Sequence, residues 1–289
     1  MLVWLNGTLT EEASIPVMDR GFTLGDGVFE TILVDHGAAC HWLRHCERLA
    51  EGAAVLGIPF DRAAGATAIR QVLEANRTEF GSVRLTLSRG GGARGLAVPP
   101  DPRPTLVAGV TARSGRLAAP LSPIRVMTVR RTRRNEFSPL ARIKSLNMLD
   151  NVLARAEAAE AGADEAILLN TAGRVAEAAA ANIVVLLEGR LATPPVTDGV
   201  LPGILRALAL ERLGVVERSL SPDDLARAEA VALTNSLSVQ AVGRLDDRDL
   251  DGEAARALAT ALFPLLTAKG GSLLPSSGGG TASVAAATG

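Results

Sequence analysis

The chain has no tyrosine among its 289 residues and is only 3% aromatic, so it lacks the stacking platform that single-stranded nucleic acid requires. A formal net charge of -1 and a pI near 6.3 remove any general attraction to phosphate backbones or anionic lipid. Two cysteines, Cys40 and Cys46, stand without a CxxC pair or a histidine cluster, which argues for reduced thiols and against a metal centre. Nowhere do about eighteen apolar residues run uninterrupted, and the opening MLVWLNGTLTEE carries no basic stretch ahead of an apolar core. Neither membrane insertion nor export is indicated, and a cytoplasmic protein is expected. The scarcest charged residue is lysine: twenty-eight arginines accompany two lysines, Lys144 and Lys269.

What is present is enough for a substantial core. The composition is 47% hydrophobic and 21% charged with a mean hydropathy of +0.23, and the length suits two domains. The cluster Arg130, Arg131, Arg133 and Arg134 alternates with Val129 and Thr132 and runs into a loop. It reads as a solvated strand end or a contact for a substrate carboxylate rather than a nucleic-acid patch.

Apolar periodicity predicts strands at Leu2 to Leu5, at Val28 to Val34 after the turn Gly25-Asp26-Gly27, at Val83 to Ser88 and at Thr105 to Ala112. Helices are expected from about Leu43 to Leu56, stopped by Gly57, and from about Arg62 to Asn76. The Gly/Ala/Pro/Ser-rich segment Arg113 to Ser122 is the linker candidate, which makes residues 1-117 a small first domain. Beyond it a strand from Ile124 to Arg130 leads through Asn135 to Lys144, and a helix from about Leu146 to Ala161 stops at Gly162. Strands follow at Ala166 to Asn170, Arg174 to Leu187 and Arg190 to Thr193. Pro202 stands at a first helical position for a helix through Leu213, and Ser221-Pro222-Asp223-Asp224 is a cap and first turn. A strand at Ala230 to Leu233 ends at Thr234-Asn235-Ser236, and a last helix runs from Glu253 to Leu266. Residues 118-268 are taken as the second, larger domain, and 269-289, rich in Gly, Ser and Ala, as a disordered tail.

Three features suit one cofactor chemistry. Lys144, at the expected start of a helix, is an amine that can lose its proton and attack a carbonyl, which arginine cannot do. The turn Asp198-Gly199-Val200-Leu201-Pro202-Gly203-Ile204-Leu205 presents the backbone N–H groups of a helix start, favourable to a dianion, to which Arg48 and Ser236 can add contacts. Glu177 is one acid on an otherwise apolar strand, costly to bury without a permanent cation. Pyridoxal 5'-phosphate needs a lysine, a phosphate cradle and a carboxylate for its ring nitrogen. Each piece also has an ordinary structural explanation: a helix start for the turn, and a strand-end acid paired with an arginine for Glu177.

Taken together and in order, Ile143-Lys144-Ser145-Leu146-Asn147, Gly173-Arg174-Val175-Ala176-Glu177 with Asn182, Gly199 to Arg206 and Thr234-Asn235-Ser236 resemble the class IV aminotransferases, the fold-type IV pyridoxal phosphate enzymes. Asp19 to Thr31 and Arg48-Leu49 also fit. The resemblance covers roughly residues 1 to 250. It implies an α/β (α+β) fold in two domains, small and α/β first, then larger with a β-barrel-like core, with the cofactor between them. It also implies a homodimer in which a loop of one subunit reaches the other's substrate pocket.

Carried over by position, Lys144 becomes the Schiff-base lysine and proton carrier, and Glu177 the partner of the ring nitrogen. Arg48, the Ile204 and Leu205 backbone and Ser236 become the phosphate ligands. Several branches of the family use tyrosines, which this chain lacks. Asn147 is therefore the candidate for the cofactor's O3′ and Phe29 and Thr31 for the substrate pocket. Arg94, in Arg89-Gly90-Gly91-Gly92-Ala93-Arg94-Gly95, is the candidate for the substrate carboxylate. The expected activity is transfer of an amino group between a branched-chain or D-amino acid and a 2-oxo acid. The alternative within the same family is 4-amino-4-deoxychorismate lyase, which releases pyruvate and 4-aminobenzoate.

Overall fold

The computed structural model describes residues 1–92, 94–119, 122–268 and 273. Lys269 and nearly all of the expected tail lie outside the described residues. Two compact units emerge. The first is Met1–Leu117 with Ile143–Asn147 and the described part of Thr267–Gly289, and the second is Ala118–Arg142 with Met148–Leu266.

In the first unit the strands are β1 (Val3–Leu5), β2 (Thr8–Thr10), β3 (Gly27–Asp35), β4 (Ala38–Ala39), β5 (Gly81–Ser88) and β6 (Thr105–Ala112), and the helices α1 (Arg20–Leu24), α2 (Trp42–Leu56) and α3 (Arg62–Ala75). They form an antiparallel sheet of order β2-β1-β6-β5-β3-β4. Gly57 ends α2 in the left-handed conformation, with its N–H donated to the Ala53 and Ala54 carbonyls, and the Asp61 side chain caps α3 through the Ala63 N–H. Ile32, Val34, Leu85 and Leu87 from the sheet pack against Leu49, Ala53, Ile69 and Val72 from α2 and α3, all buried. This apolar interface is the driving force for the unit.

The second unit contains β7 (Ile124–Thr128), α4 (Leu149–Glu160), β8 (Glu165–Leu169), β9 (Val175–Ala178), β10 (Asn182–Leu187), β11 (Arg190–Thr193), α5 (Ile204–Arg212), β12 (Val216–Glu217), α6 (Pro222–Arg227), β13 (Ala230–Thr234), β14 (Val239–Leu245), β15 (Arg248–Asp249) and α7 (Gly252–Leu262). Its strands lie in the order β12-β11-β10-β13-β14-β7-β8-β9, with β15 on β14. The curved sheet surrounds Val126, Ile167, Val175, Ile183, Val185, Val231, Leu233 and Val242. A full capping box, Ser221 with Asp224, starts α6.

Three expectations need correction. The helix after Lys144 begins at Leu149, so Lys144 is not at a helix start. It lies in an extended segment paired with β3, where Phe29 N–H donates to the Lys144 carbonyl at 2.9 Å and Leu146 N–H to the Gly27 carbonyl at 2.9 Å. Arg174 to Leu187 is not one strand, because Ala178 N–H donates to the Ala181 carbonyl at 2.8 Å and closes a turn between β9 and β10. Pro202 precedes α5, whose N-cap is Gly203.

Candidate active site

In the first unit, β3 sorts the candidate residues by its two-residue period. Phe29 and Thr31 point to one face, together with Arg84, which sits opposite Thr31 on β5. Lys144 Nζ lies 4.6 Å from the centroid of the Phe29 ring, and the Arg84 guanidinium 3.8 Å from the same centroid. One aromatic ring thus receives two cations, an arrangement favoured by its negative face. Val28, Glu30 and Ile32 occupy the opposite face, covered by α2. There Glu30 accepts from Arg48 Nε at 2.7 Å, from Arg48 Nη2 at 2.6 Å and from His45 Nδ1 at 2.7 Å. Because an ionised carboxylate only accepts, Nδ1 must carry the imidazole proton. Burial works against the Glu30 charge, but Arg48 and His45 outweigh it and hold the carboxyl at about 2. Burial pushes His45 below its ordinary value, against the opposing pull of the Glu30 carboxylate.

Much of the N-terminal motif is wired into the scaffold. Asp19 accepts from Ser88 Oγ at 2.9 Å and Thr105 Oγ1 at 2.7 Å. Asp26 is bracketed by Arg20 Nε at 2.8 Å and Arg89 Nε at 2.7 Å. Burial opposes its ionisation, and the two guanidinium groups more than offset this and lower its pKa. Arg20 also donates to the carbonyls of Gly95 and Ala97, which tethers residues 95–97, while the Arg94 side chain is exposed. Asn147 is exposed, with its amide donated to the Gly25 carbonyl at 3.1 Å.

The second unit gathers the rest around the N-terminus of α5. Glu177 is buried on β9, and its Oε2 accepts from Leu201 N–H at 3.0 Å and from the Asn182 amide at 3.3 Å. Asn182 donates in turn to the Leu201 carbonyl at 2.9 Å. Arg134 Nη2 stands 3.1 Å from Glu177 Oε1. Gly199 has φ of +88°, which favours glycine, and a Cβ on Gly203 would come within 1.8 Å of Asn182 Oδ1. The glycines therefore let this turn close against Asn182. No side chain caps α5, so the first-turn N–H groups beside Ile204 and Leu205 face outward from the helix start without that partner. Thr234 lies directly across from Asn182, and its buried hydroxyl has no hydrogen-bond partner. Asn235 Oδ1 accepts from the Leu237 and Ser238 N–H groups, each at 2.9 Å, which folds the bend that carries half-buried Ser236.

A family model described as "Amino-transferase class IV" matches residues 27–244. The chain belongs to the class IV aminotransferases. It is therefore an enzyme, and its mixed α/β architecture is that of the fold-type IV aminotransferases. A putative branched-chain-amino-acid aminotransferase from Methanocaldococcus jannaschii is 32% identical over 88% of this chain and 91% of its own length. A D-alanine aminotransferase from Bacillus licheniformis is 31% identical over 82% of this chain and 85% of its own. The crystal structure of 4-amino-4-deoxychorismate lyase from Pseudomonas aeruginosa superimposes with a TM-score of 0.78 at 34% identity, covering 90% of this chain and 98% of that one.

In this class IV aminotransferase, sequence reasoning missed Glu30, His45, Arg84 and the pairing of Arg134 with Glu177. Glu30 carried a signal, an acid between the apolar residues Phe29 and Ile32 on a strand. The Arg-rich cluster resolves into local work: Glu157 accepts from the Arg130 and Arg131 N–H groups, Arg131 pairs with Glu160, and Arg133 donates to the Val129, Arg130 and Thr132 carbonyls. Cys40 and Cys46 are free and buried, and burial pushes the Cys40 thiol up to about 11. Among the described residues no helix is long and apolar enough to cross a membrane, and no group of side chains is suited to a metal ion.

Proposed function

We propose that this enzyme is a pyridoxal 5'-phosphate-dependent aminotransferase that moves an amino group between a branched-chain or D-amino acid and a 2-oxo acid. The observation that carries the reading is the hydrogen bond from Leu201 N–H to Glu177. It ties a buried acid to the same turn that leads into an uncapped helix N-terminus. A ring nitrogen and a phosphate carried by one small molecule need such a pair of anchors. The buried, unpartnered Thr234 hydroxyl and the glycine-lined turn fit a ligand rich in acceptors.

When bound, pyridoxal 5'-phosphate supplies an aldehyde and a ring that withdraws electrons. The α5 N-terminus at Ile204 and Leu205 and the Ser236 hydroxyl would hold its phosphate, with Arg48, oriented by Glu30, adding positive charge. Glu177 would keep a proton at the ring nitrogen, and Asn147 would serve O3′. Lys144 Nζ would attach the cofactor and carry the proton taken from the substrate Cα. Phe29 and Thr31 would line the substrate side, and Arg94 would bind the substrate carboxylate. The enzyme would act as a homodimer.

The identity to the Pseudomonas aeruginosa structure favours a second reading, the lyase that forms pyruvate and 4-aminobenzoate. The purified enzyme should consume leucine or D-alanine only when 2-oxoglutarate is present. Pyruvate and 4-aminobenzoate formed from 4-amino-4-deoxychorismate without any 2-oxo acid would select the lyase instead.

A further inference from the structure

Arg134 is one of four clustered arginines, and while Arg130, Arg131 and Arg133 make local contacts, its own side chain does something different. Its backbone is fixed against β8, where Arg134 N–H donates to the Leu169 carbonyl at 2.9 Å. From there the guanidinium makes three contacts: Nε to the Gly199 carbonyl at 3.1 Å, Nη2 to the Ala141 carbonyl at 2.9 Å, and Nη2 to Glu177 Oε1 at 3.1 Å. The backbone beneath it is equally close, since a Cβ on Gly199 would lie 3.2 Å from Glu136 Cα. Asn170, the bridge partner of Arg134, grips the preceding residue by donating to the Asp198 carbonyl at 3.3 Å. Glu177 in turn accepts from Leu201 N–H.

These bonds form a closed circuit: Arg134 to Glu177, Glu177 to Leu201, along the chain to Gly199, and back to Arg134. We infer that Arg134 is a positioning residue that braces the Gly199–Gly203 turn against Glu177, so that the turn is in its phosphate-receiving shape before the cofactor arrives. The planar, forked guanidinium suits this work because one rigid group reaches a backbone carbonyl and a carboxylate at once. A lysine carries the charge but offers a single flexible ammonium. The inference rests on the reading above that this turn holds the cofactor phosphate.

The test compares pyridoxal 5'-phosphate with pyridoxal, which lacks the phosphate, by titrating the apo forms of the parent, Arg134→Gln and Arg134→Lys, each checked for a cooperative thermal transition. The parent is expected to bind the phosphorylated form far more tightly. A parent that binds both equally removes the reading of the turn itself, not merely the role of Arg134. With the parent behaving as expected, Arg134→Gln should weaken pyridoxal 5'-phosphate at least tenfold and pyridoxal less than threefold. A general loosening of the fold would weaken both by one factor, and that result overturns the inference, as does phosphorylated-cofactor affinity within twofold of the parent. If Arg134→Gln does not fold, Arg134→Lys decides by the same comparison. Failure of both variants to fold assigns Arg134 to the scaffold alone and also overturns it.

Discussion

Glu30 and Arg48 form a buried ion pair in which both carboxylate oxygens meet the Nε–Nη2 edge of one guanidinium. Neither charge has water to return to, so removal of one takes away the other's principal counter-charge. Glu30→Gln should cost about 3–5 kcal/mol of stability in denaturant unfolding, the range for breaking a buried pair. A loss under about 1 kcal/mol would mean that the pair is not closed in solution.

The same carboxylate sets a pH dependence. Its pKa is lower in the folded chain, about 2, than the ordinary 4.5, so its contribution is complete above the ordinary value and fades as pH falls toward 2. The difference corresponds to ~3 kcal/mol. Urea unfolding between pH 5 and 2 should show the parent losing stability across that window, beyond the loss in Glu30→Gln. Parallel curves would contradict the assignment.

Gly203→Ala tests the close approach of turn and strand. A methyl group there meets Asn182 Oδ1, whose amide is already committed to Leu201 and Glu177. Overpacking of this kind costs about 1–3 kcal/mol, and cofactor affinity should fall with it because the α5 N-terminus is displaced. Isothermal titration with pyridoxal 5'-phosphate and a melting curve read the two effects separately; an unchanged variant in both would show that the turn has room to spare.

Glu177→Gln keeps the shape of the side chain but replaces the charge with an amide that cannot hold a ring nitrogen protonated. Retained cofactor with turnover reduced on the order of a hundredfold or more is expected from steady-state kinetics. Full activity would remove the electron-withdrawal role proposed for this acid.

How much of this was legible before the structure depends on whether the signal was local. β6 runs over Thr105–Ala112 as its apolar run predicts, and Gly57 and Ser221 mark helix ends through their own backbone and side-chain chemistry. β14 was not found, because Gln240, Gly243 and Arg244 interrupt its apolar alternation, and its place is secured by pairing with β13 and β7. The turn after Ala178 is written in alanines, which carry no turn chemistry of their own. Lys144 and Glu177 stood out by type and context, one an isolated amine and the other an isolated acid. Arg134 and Glu30 did not, since their meaning lies in partners distant along the chain, and one arginine among twenty-eight announces nothing.

Attachment of the cofactor to the Lys144 amine is tested most directly by peptide mass spectrometry after the cofactor-loaded protein has been reduced with borohydride. The account predicts the mass of a reduced pyridoxal phosphate group on the peptide containing Lys144 and its disappearance in Lys144→Ala. The same group on Lys269, or no modified peptide at all after loading, would contradict it.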